Sequence, residues 1–348
     1  MLSERIEGKW IDSFCRTFEL CGVQKGETVA ILSETLSRPV NIHLSELALL
    51  RLGARPFHVI APTPAQQAEV AIRSTGCSVA LAGNDGVVAA LCASSFVVDC
   101  TVEGVMHSSE LPKVLQAGAR VLYVSNEHPE ILERCAPSLS VRGRFEKALK
   151  RLTSSRTMKV TSNAGTDLVI RVEGAPAGGG WGAIEAAGGM DHWPGGLVAC
   201  FPTANAINGV LVMDRGDINL TFKRYMETPV RLVIESDYVV RVEGDGFDAE
   251  LMRSYFAGWK DRNAYSAAHV GFGLNTGARW DSMTMYDRGD HNGVEQRVYG
   301  GNFLYSTGAN EFAGRYTLGH FDLPIRNCTI SLDGETVVRS GVLQGELA

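Results

Sequence analysis

The chain has 348 residues, of which 45% are hydrophobic and 21% charged, with a formal net charge of −6 at pH 7. That length predicts about two domains, and the acidic balance argues against nucleic acid or an anionic membrane surface as partner. No apolar run approaches the roughly 20 residues of a membrane span, and the N-terminus, MLSERIEGKW, is charged where a signal peptide is apolar. We therefore expect a cytoplasmic protein that binds a small molecule.

The first 155 residues alternate predicted helices and strands. Apolar side chains at Ile6, Trp10, Phe14 and Phe18 have helical spacing, and Gly22 supplies a C-terminal stop. The later elements are predicted as strands at 28–32, 56–60, 79–81, 96–99 and 120–124, and as helices at 41–52, 110–118 and 145–152. Such alternation predicts a parallel sheet with helices on both faces.

After residue 155 the pattern changes to short strands and glycine-rich turns. Strands are predicted at 158–161, 168–172, 209–213, 230–235 and 238–242, with one helix at 247–259. The predicted fold class is α/β: an N-terminal parallel-sheet α/β domain (1–155) followed by a mixed, largely antiparallel α+β domain (156–348) that binds metal and carries catalysis. The glycine-rich run 174–196 is predicted as a long irregular loop, which is typical of a lid or a binding loop.

Two polar side chains near the C-terminus, in GHFDLP (319–324), indicate a metal site. Because residues two apart in a strand point to the same face, His320 and Asp322 would lie side by side. One further imidazole would complete a 2-His-1-carboxylate face, which binds iron at three positions and leaves the others open. We assign His269, in AAHVGFG (267–273), as that ligand. The alternative is that His320 and Asp322 form only a structural pair.

Four other histidines are expected to be structural or exposed. His43, His58 and His128 fall in or beside N-terminal elements. His291 lies in the polar turn 287–293, which we interpret as solvated, although its neighbouring carboxylates could form a surface cation site.

Several common functional motifs are missing from the sequence. The eight cysteines form no CxxC pair, so a zinc ribbon or a thiol redox motif is excluded. No GxGxxG lies between a predicted strand and a helix, and neither GxSxG nor HExxH is present. Dinucleotide binding, serine hydrolysis and zincin chemistry are therefore disfavoured.

Five motifs follow one another in the second half of the chain: DHWPGG at 191–196, GFDAE at 246–250, HVGFG at 269–273, GNFLYSTG at 301–308 and HFDLP at 320–324. Together they resemble the 2,5-dihydroxypyridine 5,6-dioxygenases of bacterial nicotinate breakdown. The likeness spans roughly residues 160–335, and it is looser in the N-terminal half, where HS at 107–108 and GARVL at 118–122 are similar. It implies a mononuclear non-haem Fe(2+) dioxygenase that cleaves 2,5-dihydroxypyridine, or a closely related hydroxylated N-heterocycle, with O2 to an N-formylmaleamate-type product.

The resemblance assigns roles to particular residues. His269, His320 and Asp322 would be the iron ligands. His192 and His107 would lie near the substrate, where an imidazole that titrates near neutrality could take and return the proton of a ring hydroxyl. His192 could instead serve only to tether the glycine-rich loop.

Two further residues match substrate-pocket positions of that family. Ser306 would donate a hydrogen bond to the substrate, and Arg297 would stabilise an anionic ring. Their structural alternatives are a turn residue and a solvated salt bridge. Where the characterised dioxygenases tend to carry a pocket glutamate before DHWP, this chain has GWG at 180–182, so ring recognition could differ there.

The family shares its fold with the aminopeptidase T-like metallopeptidases, which supply the alternative function. Their two-metal site uses a glutamate where His269 falls, and a histidine from a stretch that here, 301–308, contains none. Imidazole in place of carboxylate favours a single, softer ion such as iron, and hence the dioxygenase. A non-catalytic metal- or ligand-binding module is the third hypothesis. We also expect a homo-oligomer, whose size the sequence does not fix.

Overall fold

A computed structural model describes residues 5–65, 70 and 76–348. The α-helices in these ranges are α1 Gly8–Leu20, α2 Pro39–Arg51, α3 Asp85–Cys92, α4 Leu111–Gln116, α5 Pro129–Arg134, α6 Leu139–Ser154, α7 Phe247–Gly258 and α8 Val294–Val298. The strands are β1 Thr28–Glu34, β2 Arg55–Ala61, β3 Phe96–Asp99, β4 Arg120–Val124, β5 Thr157–Thr161, β6 Asp167–Arg171, β7 Ala177–Gly180, β8 Met190–Trp193, β9 Leu197–Cys200, β10 Ile207–Met213, β11 Ile218–Asn219, β12 Arg224–Tyr225, β13 Val230–Glu235, β14 Tyr238–Glu243, β15 Ala267–Gly273, β16 Phe303–Asn310, β17 Arg315–Ile325, β18 Thr329–Leu332, β19 Glu335–Arg339 and β20 Val342–Leu343. Among the described residues, no helix has the length and apolar character needed to cross a bilayer.

The N-terminal half forms a parallel sheet in the order β2-β1-β3-β4-β8. Alternation along β1 sends Val29 and Ile31 into the core beneath α1 and α2, and Ala30 and Leu32 into a second core beneath α3 and α4. Both faces of the sheet are therefore covered, which explains why its strands are apolar throughout. The predicted parallel-sheet α/β domain is confirmed.

Two local predictions in this region are wrong. Residues 80–83 form turns rather than a strand, because Leu81 packs against Val88 and Leu91 at the start of the α3 layer instead of extending the sheet. The run 174–196 is not wholly irregular, since it contains β7 and β8. β8 pairs in parallel with β4, so the sheet is completed by a strand from the second half of the chain.

The second half contains two larger antiparallel sheets. One has eight strands in the order β14-β13-β10-β6-β5-β18-β19-β20, and the other has five in the order β17-β16-β15-β9-β7. Their apolar faces meet in one core, to which α7 contributes Met252 and Phe256. The prediction of a mixed, largely antiparallel second half is confirmed. The domain boundary near residue 155 stays a prediction, and Trp181 and Trp193 from beyond it pack in the N-terminal core.

The five-stranded sheet positions the candidate site by its alternation. On β15, Val270 and Phe272 face the core, and on β17, Phe321 and Leu323 do the same. The side chains between them point to the opposite face of the sheet. Loops that follow β3 and β4 of the parallel sheet lie across from that face, so the candidate site forms between the two sheets.

Candidate metal centre and its cavity

Three potential metal ligands converge on the outer face of the five-stranded sheet: His269 from β15, and His320 and Asp322 from β17. One ligand atom from each lies within 4.8 Å of the other two. His269 Nε2 is 3.6 Å from Asp322 Oδ1, and His320 Nε2 is 3.2 Å from Asp322 Oδ2. The structure thus brings together the three residues that the strand pattern and the resemblance selected.

Asp322 is held as a carboxylate. It is buried, with Arg297 Nε 2.5 Å from Oδ2 and the Ser306 hydroxyl donating to Oδ1. Burial by itself would raise the pKa of Asp322, but His320 and Arg297 outweigh it and hold the pKa well below its usual value. The group is therefore an anionic oxygen donor near neutral pH.

The donor set fits a divalent metal ion. Burial lowers the pKa of His269 to about 3, so its imidazole is neutral, which is the form that binds metals. Its Nδ1 is buried and has no hydrogen-bond partner among the described residues, so the ring is not committed to a structural hydrogen bond through that atom. Two imidazoles and one carboxylate on a single face leave the opposite side of an ion open.

Ser306 and Arg297 both act on Asp322 in this structure. Ser306 lies directly opposite Asp322 in the β16–β17 register and is fully buried, behind the carboxylate rather than on the cavity wall formed by the described residues. Arg297 does line the cavity. Contact of either side chain with a substrate stays a prediction.

Helix α8, which carries Arg297, is braced from the N-terminal half of the chain. The fully buried Glu127, just after β4, accepts hydrogen bonds at 2.8 Å from the backbone N–H groups of residues 292–294. Arg134 donates from Nε and Nη2 to the two carboxylate oxygens of Glu295 at 2.8 and 2.9 Å. These buried ionic contacts fix the position of α8 relative to the parallel sheet. Nothing in the local sequence around Glu127 marks it for this role.

His192 lies on β8 with a defined tautomer. Its Nδ1 is 2.6 Å from the carbonyl oxygen of Pro194. A carbonyl oxygen can only accept, so Nδ1 carries the proton and Nε2 has a free electron pair. Burial lowers the pKa of His192, which keeps the imidazole neutral near pH 7. The same ring therefore both contacts the backbone after β8 and can act as a base.

His107 follows β3 and faces the metal ligands. Its ring centroid is 6.2 Å from that of His320. Burial, and next the neighbouring His320, lower the pKa of His107 to about 4. His107 is thus a neutral, polar group beside the candidate metal position.

These groups share one cavity of about 400 Å³. Its wall includes all three candidate ligands together with His107, His192 and Arg297. A second cavity of about 640 Å³ borders it at His107, His269 and His320. The three histidines therefore lie between the two cavities.

The interpretation of His291 as a solvated turn residue is wrong. Only 3% of its surface is exposed, and it lines the same cavity. The turn is covered because Tyr286 packs edge-on against the ring at 5.6 Å and the backbone N–H of His128 donates to the carbonyl oxygen of Asp290. This burial comes from packing against the N-terminal half, which the polar local sequence does not reveal.

Comparisons with known sequences point to a single family. Residues 9–345 match the model of the NicX family, described as 2,5-dihydroxypyridine 5,6-dioxygenase. A 2,5-dihydroxypyridine 5,6-dioxygenase of Pseudomonas putida KT2440 is 35% identical over 332 residues, covering 94% of each chain.

Solved structures give the same result at the level of the fold. The structure of 2,5-dihydroxypyridine dioxygenase from Pseudomonas putida KT2440 has a TM-score of 0.90 and 33% identity, covering 97% of this chain and 98% of that one. Wild-type AmpT from Thermus thermophilus has a TM-score of 0.57 and 12% identity over 97% and 99% of the two chains, which shows a shared fold alone.

Proposed function

The chain belongs to the 2,5-dihydroxypyridine 5,6-dioxygenase family, and from that premise we propose that it cleaves the ring of 2,5-dihydroxypyridine, or of a closely related hydroxylated N-heterocycle, with O2. His269, His320 and Asp322 would hold one Fe(2+). The observation that carries this proposal is the convergence of the three ligand atoms within 4.8 Å on one face of the sheet. The product would be of the N-formylmaleamate type.

Bound iron would supply positions at which the ring and O2 meet and exchange electrons without an external reductant. The protein's own side chains would orient the metal ligands and the ring. Asp322 contributes a negative charge to the ligand set, and the cation of Arg297 and the hydroxyl of Ser306 keep that carboxylate oriented. The arginine also places a fixed positive charge beside an anionic ring.

His192 would move the proton. A hydroxypyridine is bound best as an anion beside a cation, so one hydroxyl proton must leave. The free electron pair on Nε2 of His192 can accept it, while the Pro194 carbonyl holds the ring by Nδ1. His107, neutral and next to His320, could hydrogen-bond to a ring oxygen.

The metallopeptidase alternative is not favoured. A two-metal hydrolase needs bridging carboxylates, whereas the one cluster of metal-binding side chains found among the described residues contains a single carboxylate. The AmpT likeness supports the fold and not the reaction.

The test is O2 uptake by anaerobically prepared apo-protein reloaded with Fe(2+) and offered 2,5-dihydroxypyridine, with the ring's near-UV absorbance followed in parallel. We expect O2 and ring to disappear in equal amounts, and no reaction with Zn(2+) in place of Fe(2+). Iron binding without loss of the ring would overturn the proposed substrate. Failure to bind iron would overturn the three-ligand site.

A further inference from the structure

One part of the cavity wall carries polar groups that the reaction proposed above does not use. Lys223, His291, Asn292 and Asn126 line it, with Leu220 at its side. We call this group the distal lobe. A cavity of about 400 Å³ lies within the range of about 300–1,000 Å³ typical of drug-sized ligands, more than one ring with two hydroxyls occupies. The lobe therefore has room for a further group on the substrate.

His291 brings unused hydrogen-bonding capacity to the distal lobe. Neither ring nitrogen has a hydrogen-bond partner among the described residues, although the side chain is 3% exposed. A buried polar group without a partner destabilises the folded state unless a ligand supplies the missing bond. The imidazole can give one N–H and accept at its other nitrogen.

Lys223 brings a positive charge. Its Nζ donates one hydrogen bond, to the carbonyl oxygen of Arg288 at 3.0 Å, and an ammonium has three N–H donors. No salt bridge joins it to a carboxylate within the part of the chain that the structure describes. Burial lowers the pKa of Lys223, as expected for a cation that is partly removed from water without a close counter-charge. Its backbone is in the left-handed region at φ 49°, which is uncommon for lysine.

The other ionised groups near the lobe are already engaged. Glu127 accepts the backbone N–H groups of residues 292–294, and Asp290 pairs with Arg38 Nη2 at 2.6 Å. Glu103 also lines the cavity and has interactions of its own. The combination of a lysine cation and a partnerless imidazole is typical of a site for a small anion, most simply a carboxylate.

We propose that the distal lobe is a carboxylate subsite, so that the preferred substrate is a hydroxylated N-heterocycle carrying a carboxylate-bearing substituent that reaches Lys223 and His291. This rests on the proposed function for the position of the ring at the metal. A carboxylate in the lobe would accept one hydrogen bond from the Lys223 ammonium and one from the His291 imidazole. The ring-opened product also has a carboxylate, so the test separates the two sources.

The experiment measures the binding of probe molecules to the Fe(2+)-loaded protein by calorimetry. It is done without O2, so that no turnover occurs. The probes are 2,5-dihydroxypyridine, its carbon-3 and carbon-4 carboxylates and carboxymethyl homologues, and maleamate as a stand-in for the product. We expect at least one carboxylated ring to bind wild-type protein about 10-fold more tightly than the unsubstituted ring. Lys223→Met should bring that affinity ratio close to one, and Lys223→Arg should retain it. His291→Gln should reduce it to a smaller extent.

Lys150→Met, which changes an exposed lysine on α6, is the matched control and should leave the affinity ratio unchanged. Iron content and thermal melting verify that each variant is folded. A ratio close to one in wild-type protein, or a ratio that Lys223→Met does not change, would overturn the subsite. So would a Lys223 dependence seen for maleamate alone, which would make the lobe a product site.

The two proposals fail separately. If 2,5-dihydroxypyridine is cleaved with O2 but carboxylated rings have no Lys223-dependent advantage, the subsite is wrong and the dioxygenase stands. If no ring is cleaved but a carboxylated ring binds through Lys223, the subsite stands and the proposed reaction is wrong.

Discussion

The two ends of the catalytic cavity differ in how completely the protein satisfies its own polar groups. At the metal end, Arg297, Ser306, His269 and His320 all lie against the one carboxylate of Asp322. At the distal end, His291 has no hydrogen-bond partner among the described residues. At the metal end the carboxylate is fully engaged and only Nδ1 of His269 lacks a hydrogen-bond partner among the described residues, whereas at the distal end both ring nitrogens of His291 lack one.

This difference separates two tasks that a single pocket must perform. Groups that act on the reacting atoms gain from being fixed in advance, because no reorganisation is then needed during the reaction. Groups that select a substrate can remain without a hydrogen-bond partner until the ligand binds. A ligand that lacks the matching group then leaves a buried polar group unpaired and binds less tightly. Substitutions at the two ends should therefore fail in different ways.

The largest effect is expected from Asp322→Asn. The amide has no negative charge, so the ligand set should lose its affinity for the ion and leave the Arg297 cation unpaired. We expect metal content well below one per chain and turnover at least about 1,000-fold lower. Metal analysis and O2 uptake measure both. Asp167→Asn, at an exposed carboxylate 3.8 Å from Lys159, should change neither, and full metal content in Asp322→Asn would refute the ligand assignment.

Arg297→Gln should reduce kcat/KM by about 100-fold, because one partner of a buried charge pair is removed from the reacting site. The metal should remain bound, since its three ligands are intact. The matched control is Arg279→Gln, whose guanidinium pairs with the partly exposed Asp281. If metal content falls in step with kcat/KM, Arg297 supports only the ligand and not the substrate.

His192→Gln should lower kcat by about 10- to 100-fold with the metal retained. Since burial lowers the pKa of His192, wild-type activity should fall only when the pH drops below the ordinary histidine range. The variant should lack that acidic limb in its profile of kcat against pH. An unchanged profile would restrict His192 to its hydrogen bond with Pro194.

The smallest effect is expected on the stability of His291→Gln. Burial lowers the pKa of His291 to about 4 in the folded protein, against about 6.5 when unfolded. Between these values the unfolded chain binds more protons, so wild-type stability should fall as the pH drops from 6.5 towards 4.

The variant should lack that part of the pH dependence. Between pH 7.5 and pH 5, its free energy of unfolding in urea should fall by about 1–3 kcal/mol less than that of the wild type. His43→Gln, at an exposed histidine of α2, is the control and should retain the wild-type slope. Equal slopes in wild type and His291→Gln would mean that the imidazole already has a partner.

The metal end could be predicted from the sequence because its geometry is local. Two residues apart on β17, His320 and Asp322 share a face by strand alternation, and the structure places them 3.2 Å apart. His269 was assigned because the pair needs one further imidazole, and the resemblance supported that choice, but no local rule connects it to them. Helix α1 was predicted from the apolar spacing between Ile6 and Phe18 for the same reason, and the structure has it at Gly8–Leu20.

The distal end could not be predicted because it depends on packing between distant segments. The turn that carries His291 has a polar sequence, and contacts with distant residues, among them Tyr286 and the segment around His128, help to bury it. Lys223 lies in an irregular stretch with no periodicity. Glu127 is separated from the turn it supports by more than 160 residues. Local patterns cannot reveal such contacts, since they report only neighbours in the chain.

The parallel pairing of β8 with β4 has a consequence for synthesis on the ribosome. Strand β4 is synthesised early, but β8, the strand that covers its edge, ends only at Trp193. Until that residue leaves the exit tunnel, the nascent chain presents an unpaired apolar sheet edge, which is a site for pairing with other chains. A fragment that stops near residue 155 should therefore aggregate on its own, and ribosome-bound chains should gain protease resistance in the N-terminal half only once β8 has been made.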